Sequence, residues 1–302
     1  MARTRFPADR GLASRMLVTM FLLGLLYVVF VAILLAVSSS ALVALLVAAG
    51  FLAIQYFASD RIALAAMGGK EVSPQQQPKL HGVVDRLCTL ADMPKPRVAV
   101  AEADMPNAFA TGRSPRNSVV CVTEGLLRRL DEPELEAVLA HELSHIAHRD
   151  VAVMTIASFL GLAAGLVVRF AFYAGLFGGR RGGRDGGPPV VLVVVLVSAV
   201  VYAISFLLTR ALSRYRELSA DRAAAAVTGR PSTLAAALVK ISGEMSKIPT
   251  RDLRSAEPLN ALFFTPALAN GFSLSSLFST HPKLQRRLEQ LARIEAEIGR
   301  AP

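Results

Sequence analysis

Residues 131–150 read DEPELEAVLAHELSHIAHRD, and this stretch decides what kind of fold the chain must build. Asp131 stands where an N-cap would, Glu134 follows three residues later, and Pro133 occupies a first turn where its missing N–H costs little. The sequence therefore predicts a helix from about Asp131 to His148. Leu135, Leu139 and Ile146 fall on one stripe of it. His141 and His145 are four residues apart and share a face, so their imidazoles can converge on one ion. Glu142 is turned about 100° away, onto the apolar stripe. A carboxylate buried there is costly unless it works beside a cation, which is the position of a general base next to a metal. Chance histidines on a surface helix would need neither the cap nor the carboxylate on the apolar side.

The remainder of the 302 residues is unusually apolar, at 53% hydrophobic with mean hydropathy +0.46. Four runs carry the excess, at 16–37, 41–57, 151–177 and 190–208, and the last two are joined by GGRRGGRDGGPP. At 1.5 Å per residue, runs of about 17 to 27 residues match a hydrocarbon core about 30 Å thick. The first run begins after Arg3, Arg5, Arg10 and Arg15 but is too long for a signal-peptide core, so a retained anchor is expected. The expected fold is a mainly α membrane protein with a small β-sheet and about four transmembrane helices. Residues 1–58 and 151–209 would form two hairpins. Residues 59–150 and 210–302 would be the two parts of one α+β catalytic domain, split by the second hairpin.

Within the first polar part, 79–91 reads as an amphipathic helix, while 97–103 and 117–123 alternate as short strands. PNAFATG between them reads as an edge segment. In the second part the helix of the fourth run is expected to continue to about Val227, stopped by Gly229 and Pro231. A helix over 233–245, a loop over 249–279 and a charged helix over 282–298 complete the chain.

The net charge of +10 gathers largely beside the apolar runs, which suits anionic lipid. No basic stripe interleaved with aromatics suggests nucleic acid. Cys88 and Cys121 are the only cysteines and do not build a disulfide framework.

A third metal ligand has to come from another element. Arg214–Asp221 (RYRELSAD) offers Glu217 and Asp221, again four apart. One would bind the ion and the other orient a ligand histidine, and spacing leaves open which does which. Neutralisation by Arg214 or Arg216 is the plainer explanation of that acidic pair. His145 lies about six residues before the third run and Glu217 about nine after the fourth, so both stand on the order of 10 Å from a membrane face. A hairpin of those runs would bring them together. His148 is a further histidine one turn past His145.

NAFATG, HELSHIAHRD, RELSAD and STHP, set among four apolar runs, resemble the HtpX family of membrane-bound zinc metalloproteases, related to the CAAX prenyl endopeptidases. The resemblance covers nearly the whole chain. It implies a zincin-like catalytic domain, one Zn2+ held by His141, His145 and Glu217, and Glu142 as general base. It further implies Asp221 beside a ligand histidine and His281 supporting the oxyanion. Asn107, Ala108, Phe109 and Ala110 would hold substrate backbone as an edge strand. It also implies protein substrates, membrane or misfolded ones, in stress-related quality control. Alternatives are a processing protease of prenyl-peptidase type and a silent metal-binding scaffold. The N-terminal arginines and the uncharged Ser38–Ser40 turn place the catalytic domain on the cytoplasmic side of the cell membrane, although Arg180, Arg181 and Arg184 would then lie on the far side.

Overall fold

The computed structural model describes residues 10–37, 41–150, 152–154, 157, 164–165, 190–247 and 282–300. The loop expected over 249–279, His281, the glycine-arginine segment and most of the third apolar run lie outside the described residues. Elements in chain order are α1 (Arg10–Val37), α2 (Ala41–Met67), β1 (Gly69–Glu71), α3 (Pro78–Ala91), β2 (Arg97–Ala101), β3 (Ala108–Ser114), β4 (Asn117–Thr123), α4 (Glu124–Arg129), α5 (Glu132–Ala147), α6 (Val190–Thr228), α7 (Pro231–Lys247) and α8 (Leu284–Ile298). The protein is mainly helical, with one small mixed sheet.

The sheet runs β1-β2-β4-β3. β1 and β2 are antiparallel, β2 and β4 parallel, β4 and β3 antiparallel. Its strands read as nearly continuous apolar runs because both faces are covered. Val98, Val100, Ala108, Val120 and Val122 face the main core with α3 and α5. Ala99, Ala101, Phe109, Val119 and Cys121 face Ala63 and Leu64 at the end of α2. The second apolar run therefore does not stop at Phe57. Its helix continues to Met67 and roofs the sheet, which hydropathy alone does not show. β3 occupies one edge. Beyond Phe109–Thr111 it bends through a bulge between Gly112 and Ser114. Gly112 has φ +137, and a Cβ there would meet the Asn117 carbonyl oxygen at 2.3 Å, so only glycine fits.

α5 begins as its sequence dictates. The Glu134 amide donates to Asp131 Oδ1 at 2.9 Å, and the Asp131 amide donates to Glu134 Oε2 at 3.1 Å, closing a capping box. Glu134 also takes Lys240 of α7 at 2.6 Å. Leu139 and Leu143 are fully buried, each worth roughly 1.5–3 kcal/mol relative to exposure. α5 is thus a central strut, packed by α3, α6, α7 and the sheet.

α1 and α6 contain stretches long and apolar enough to cross a membrane, Ala13–Ile33 and Val195–Thr228. α1 shows Leu17, Val18, Phe21, Leu25 and Val28 on its outside, and α6 shows Leu192, Leu196, Val200 and Leu207. Such contiguous exposed apolar surface belongs in lipid rather than water. The two helices pack together around Leu23 and Leu212, with Ala157 of the third run between them. Thr209 Oγ1 donates to the Ala157 carbonyl at 3.2 Å, fastening that run to α6.

Candidate metal centre

α5 delivers His141, Glu142 and His145 from consecutive turns, all held by the cap and apolar stripe described above. His141 is 1% exposed and Glu142 5%, so neither belongs to a solvated face. Facing them, α6 brings Glu217. His145 Nε2 lies 3.2 Å from His141 Nε2. Glu217 Oε2 is 3.7 Å from His141 Nε2, and Glu217 Oε1 is 3.5 Å from His145 Nε2. Ligands of a tetrahedral zinc with bonds near 2.0–2.1 Å stand about 3.3 Å apart. The three donor atoms therefore trace one face of such a tetrahedron. Among the described residues this is the group of His, Cys, Asp and Glu side chains that could hold a metal.

Asp221, one turn beyond Glu217, takes a different position. Its Oδ1 is 2.9 Å from His141 Nδ1, on the opposite side of the ring from Glu217. On His145, Asp150 Oδ2 stands 2.6 Å from Nδ1 in the same way. Each carboxylate accepts an Nδ1–H, which leaves both Nε2 lone pairs aimed at one point. Two such lone pairs at 3.2 Å repel unless a cation sits between them, so the donor set fits a soft-to-borderline divalent ion such as zinc. His148, expected as a further histidine nearby, closes the end of α5 as its C-cap instead.

The carboxylates have their own partners. Arg287 of α8, 2% exposed, donates from Nε and Nη2 to Asp221 at 2.8 and 2.6 Å. Its Nη1 is 3.8 Å from Glu217. Arg216 Nη2 meets Asp150 at 2.6 Å. Neither Arg287 nor Asp150 was assigned from the sequence, while Arg216, expected as one neutralising partner of the acidic pair, feels the Glu217 charge and bonds Asp150 directly. Arg287 was legible in principle. Leu284, Leu291 and Ile294 mark the buried stripe of α8, and an arginine sits on it at position 287. Asp150 carried no such signal.

Burial pushes the Glu142 carboxyl up, against the pull of His141 and His145, while the nearby Ala110 backbone amide on β3 favours its charged form. Burial pulls His141 down, but its bonds to Asp221 and Glu217 outweigh that and hold it above the ordinary histidine value. For His145 burial wins, reinforced by His141, and the ring is held low.

β3 lies against the same helix. The Thr123 amide donates to the Asn107 carbonyl at 2.9 Å, which marks residues 107 and 123 as a bonded pair. By the alternation of an antiparallel ladder, Phe109 and Thr111 also bond inward. Ala108 and Ala110 then turn their backbone N–H and C=O groups to the open edge beside Glu142.

Residues 74–295 match the model of Peptidase family M48. The chain belongs to peptidase family M48. As a member it is a metalloprotease, and the matched span contains both helices of the centre as well as Arg287. Protease HtpX homolog 1 of Streptomyces coelicolor is 62% identical over 300 residues, covering 99% of this chain and 98% of the relative. Protease HtpX homolog of Moorella thermoacetica is 53% identical over 297 residues, covering 98% of each. Among solved structures, Saccharomyces mikatae Ste24p shares the fold. Its TM-score is 0.53 at 16% identity, covering 94% of this chain and 67% of that one.

Proposed function

We propose that this M48 protein is a membrane-embedded zinc endopeptidase that cleaves membrane or misfolded proteins beside the bilayer, with His141, His145 and Glu217 as its zinc ligands. The observation that carries the reading is the convergence of those three donor atoms, each imidazole backed by a carboxylate on its other nitrogen. When bound, zinc polarises the scissile carbonyl and lowers the pKa of water to about 7. Glu142 then takes the proton from the attacking water and hands it to the departing amine. Its burial keeps that carboxylate out of bulk water and next to the edge strand. Asn107, Ala108, Phe109 and Ala110 form the rail on which substrate backbone is laid, since the backbone of Ala108 and the Ala110 carbonyl face the open edge while the Ala110 amide holds Glu142. Asp221 and Asp150 hold the two rings in the tautomer that ligation requires. His281 supports the oxyanion in this reading.

The architecture that goes with this function is a zincin-like domain formed by 59–150 and 210–302 and interrupted by the hairpin 151–209. Four transmembrane helices anchor it, with the domain on the cytoplasmic side. The dense apolar collar on α1 and α6 and their packing at Leu23 and Leu212 support this arrangement.

Zinc-loaded protein in detergent should cleave an unfolded protein, and Glu142→Gln should lower kcat by about 10²–10⁴-fold while retaining one zinc. A wild-type protein that binds no zinc, or a Glu142→Gln enzyme that cleaves at the wild-type rate, sinks the reading.

A further inference from the structure

The ion pairs of the centre are internally complete. Asp150 has Arg216 and Asp221 has Arg287, and Arg287 also reaches Glu217 at 3.8 Å. Arg210 is therefore surplus to the centre, yet it stands close to it. It precedes Glu217 by seven residues on the same unbroken helix, two turns or about 10 Å, and seven steps of 100° return to within about 20° of the same face. That face carries Glu217 and Asp221 at the centre and continues toward the membrane through Arg210 and Phe206. The Arg210 guanidinium lies over the Phe206 ring at 4.4 Å, so it leans further toward the membrane. Its Nε is buried with no hydrogen-bond partner, and among the described residues no carboxylate pairs with it. The other flank of α6 is already taken, by Leu212 against α1 and by Thr209 against Ala157. Arg210 is only half-buried, so a guanidinium stacked on a ring and paired with no carboxylate stays open to an incoming anion.

The rail also leads away from the centre. β3 passes Ala110, beside Glu142, and three residues later reaches Arg113, whose carbonyl accepts from Tyr56 Oη of α2 at 3.3 Å. Substrate laid along β3 toward its C-terminal end therefore leaves the candidate metal centre in the direction of α2, whose apolar run ends beside Tyr56. Extended chain advances about 3.3 Å per residue. A span of about 10–16 Å corresponds to roughly three to five residues.

We infer that Arg210 is a specificity subsite for a substrate carboxylate, an acidic side chain or a chain terminus, about three to five residues from the scissile bond on the membrane side. This rests on the zinc endopeptidase reading above. The negative charge completes the ion pair that Arg210 lacks, and the Phe206 ring fixes the guanidinium plane against which the carboxylate docks.

The test uses the full zinc-loaded chain in nanodiscs and a peptide series with one fixed cleavage site. Asp is moved through the second to sixth positions on either side, with Asn as reference. Wild type should cleave one Asp register about tenfold faster in kcat/KM than its Asn counterpart. Arg210→Gln should bring that Asp/Asn ratio to about one, Arg210→Lys should keep part of it, and Arg210→Glu should shift preference to a Lys peptide at the same position. Arg300→Gln, at an exposed residue just past the end of α8, should leave the ratio at the wild-type value. Zinc content and melting temperature measured for each variant separate this effect from misfolding. Indifference of the wild type to Asp at every position overturns the proposal, as does an unchanged ratio in Arg210→Gln. Loss of bound phosphatidylglycerol in Arg210→Gln with no change in peptide preference assigns the guanidinium to a lipid headgroup and overturns it too. If wild type cleaves nothing, the protease reading fails instead. Binding of Asp and Asn peptides to Glu142→Gln then still decides whether Arg210 reads a carboxylate.

Discussion

Each imidazole of the candidate centre ends on an aspartate, and each aspartate ends on an arginine: His141–Asp221–Arg287 on one side, His145–Asp150–Arg216 on the other. This two-sided support fixes both rings before any ion arrives, so little ordering remains to oppose binding. Asp150→Asn should weaken zinc binding by about 10–100-fold in a chelator competition, with helix content unchanged, and Asp150→Glu should recover part of it. Equal affinity in the Asn variant would show that His145 needs no carboxylate to hold it. The thiols behave in the opposite manner. Burial pushes Cys88 up to about 11 and Cys121 up to about 12. Thiolate, the reactive form, appears only as pH rises through those values, so at pH 8 it is roughly one part in a thousand or less. A thiol alkylating reagent at pH 8 should therefore modify neither cysteine in the native protein and both after denaturation. Labelling of native protein would place one of them in an open site.

At the scale of elements, α5 is where local and tertiary signals agree most closely. The capping box, Pro133 and the apolar stripe all specify the same helix, and the metal-facing pair lies in its last two turns. Asp131→Ala removes an acceptor for the Glu134 amide and should cost about 1 kcal/mol, read as a lowered melting temperature with zinc stoichiometry intact. An unchanged melt would mean that packing of α5 alone sets its start. The strands were legible for the same reason. The strands expected over 97–103 and 117–123 form as β2 and β4, the first ending two residues earlier at Ala101. β1 and α4 escaped notice because three residues and six residues give too short a pattern to register. They exist only because β2 offers an edge to pair with and because Thr123 caps α4 by accepting from the Leu126 amide at 3.2 Å.

The whole molecule joins a lipid-facing half to a polar half through continuous helices. α2 leaves an apolar run and roofs the sheet; α6 leaves another and presents Glu217 and Asp221. Because no loop intervenes, the distance from Leu208 to the candidate metal centre is set by helix rise, about 1.5 Å per residue. The N-terminal end of α1 packs at Met16 and Met20 against Leu208 and Leu212 of α6, near the foot of the centre. The start of α1 and the end of α8 should consequently lie on one side of the membrane. Single cysteines placed at 8 and at 300, in a Cys88→Ser/Cys121→Ser background, should be labelled by a membrane-impermeant reagent from the same side in oriented vesicles. Labelling from opposite sides would exclude the hairpin arrangement.

The sequence by itself determined whatever depends on neighbours in the chain. The helix at 132–147, the shared face of His141 and His145, the acidic pair at 217 and 221, and the apolar lengths all follow from periodicity and caps. Spacing could not tell Glu217 from Asp221, because both fall on the same face of one helix. Tertiary structure separated them by the tilt of α6 against α5, which sets Glu217 before the Nε2 atoms and Asp221 behind Nδ1. It alone also brought Arg287 from seventy residues away and turned Asp150 back onto His145. Those contacts follow from how helices cross, and no local pattern encodes a crossing.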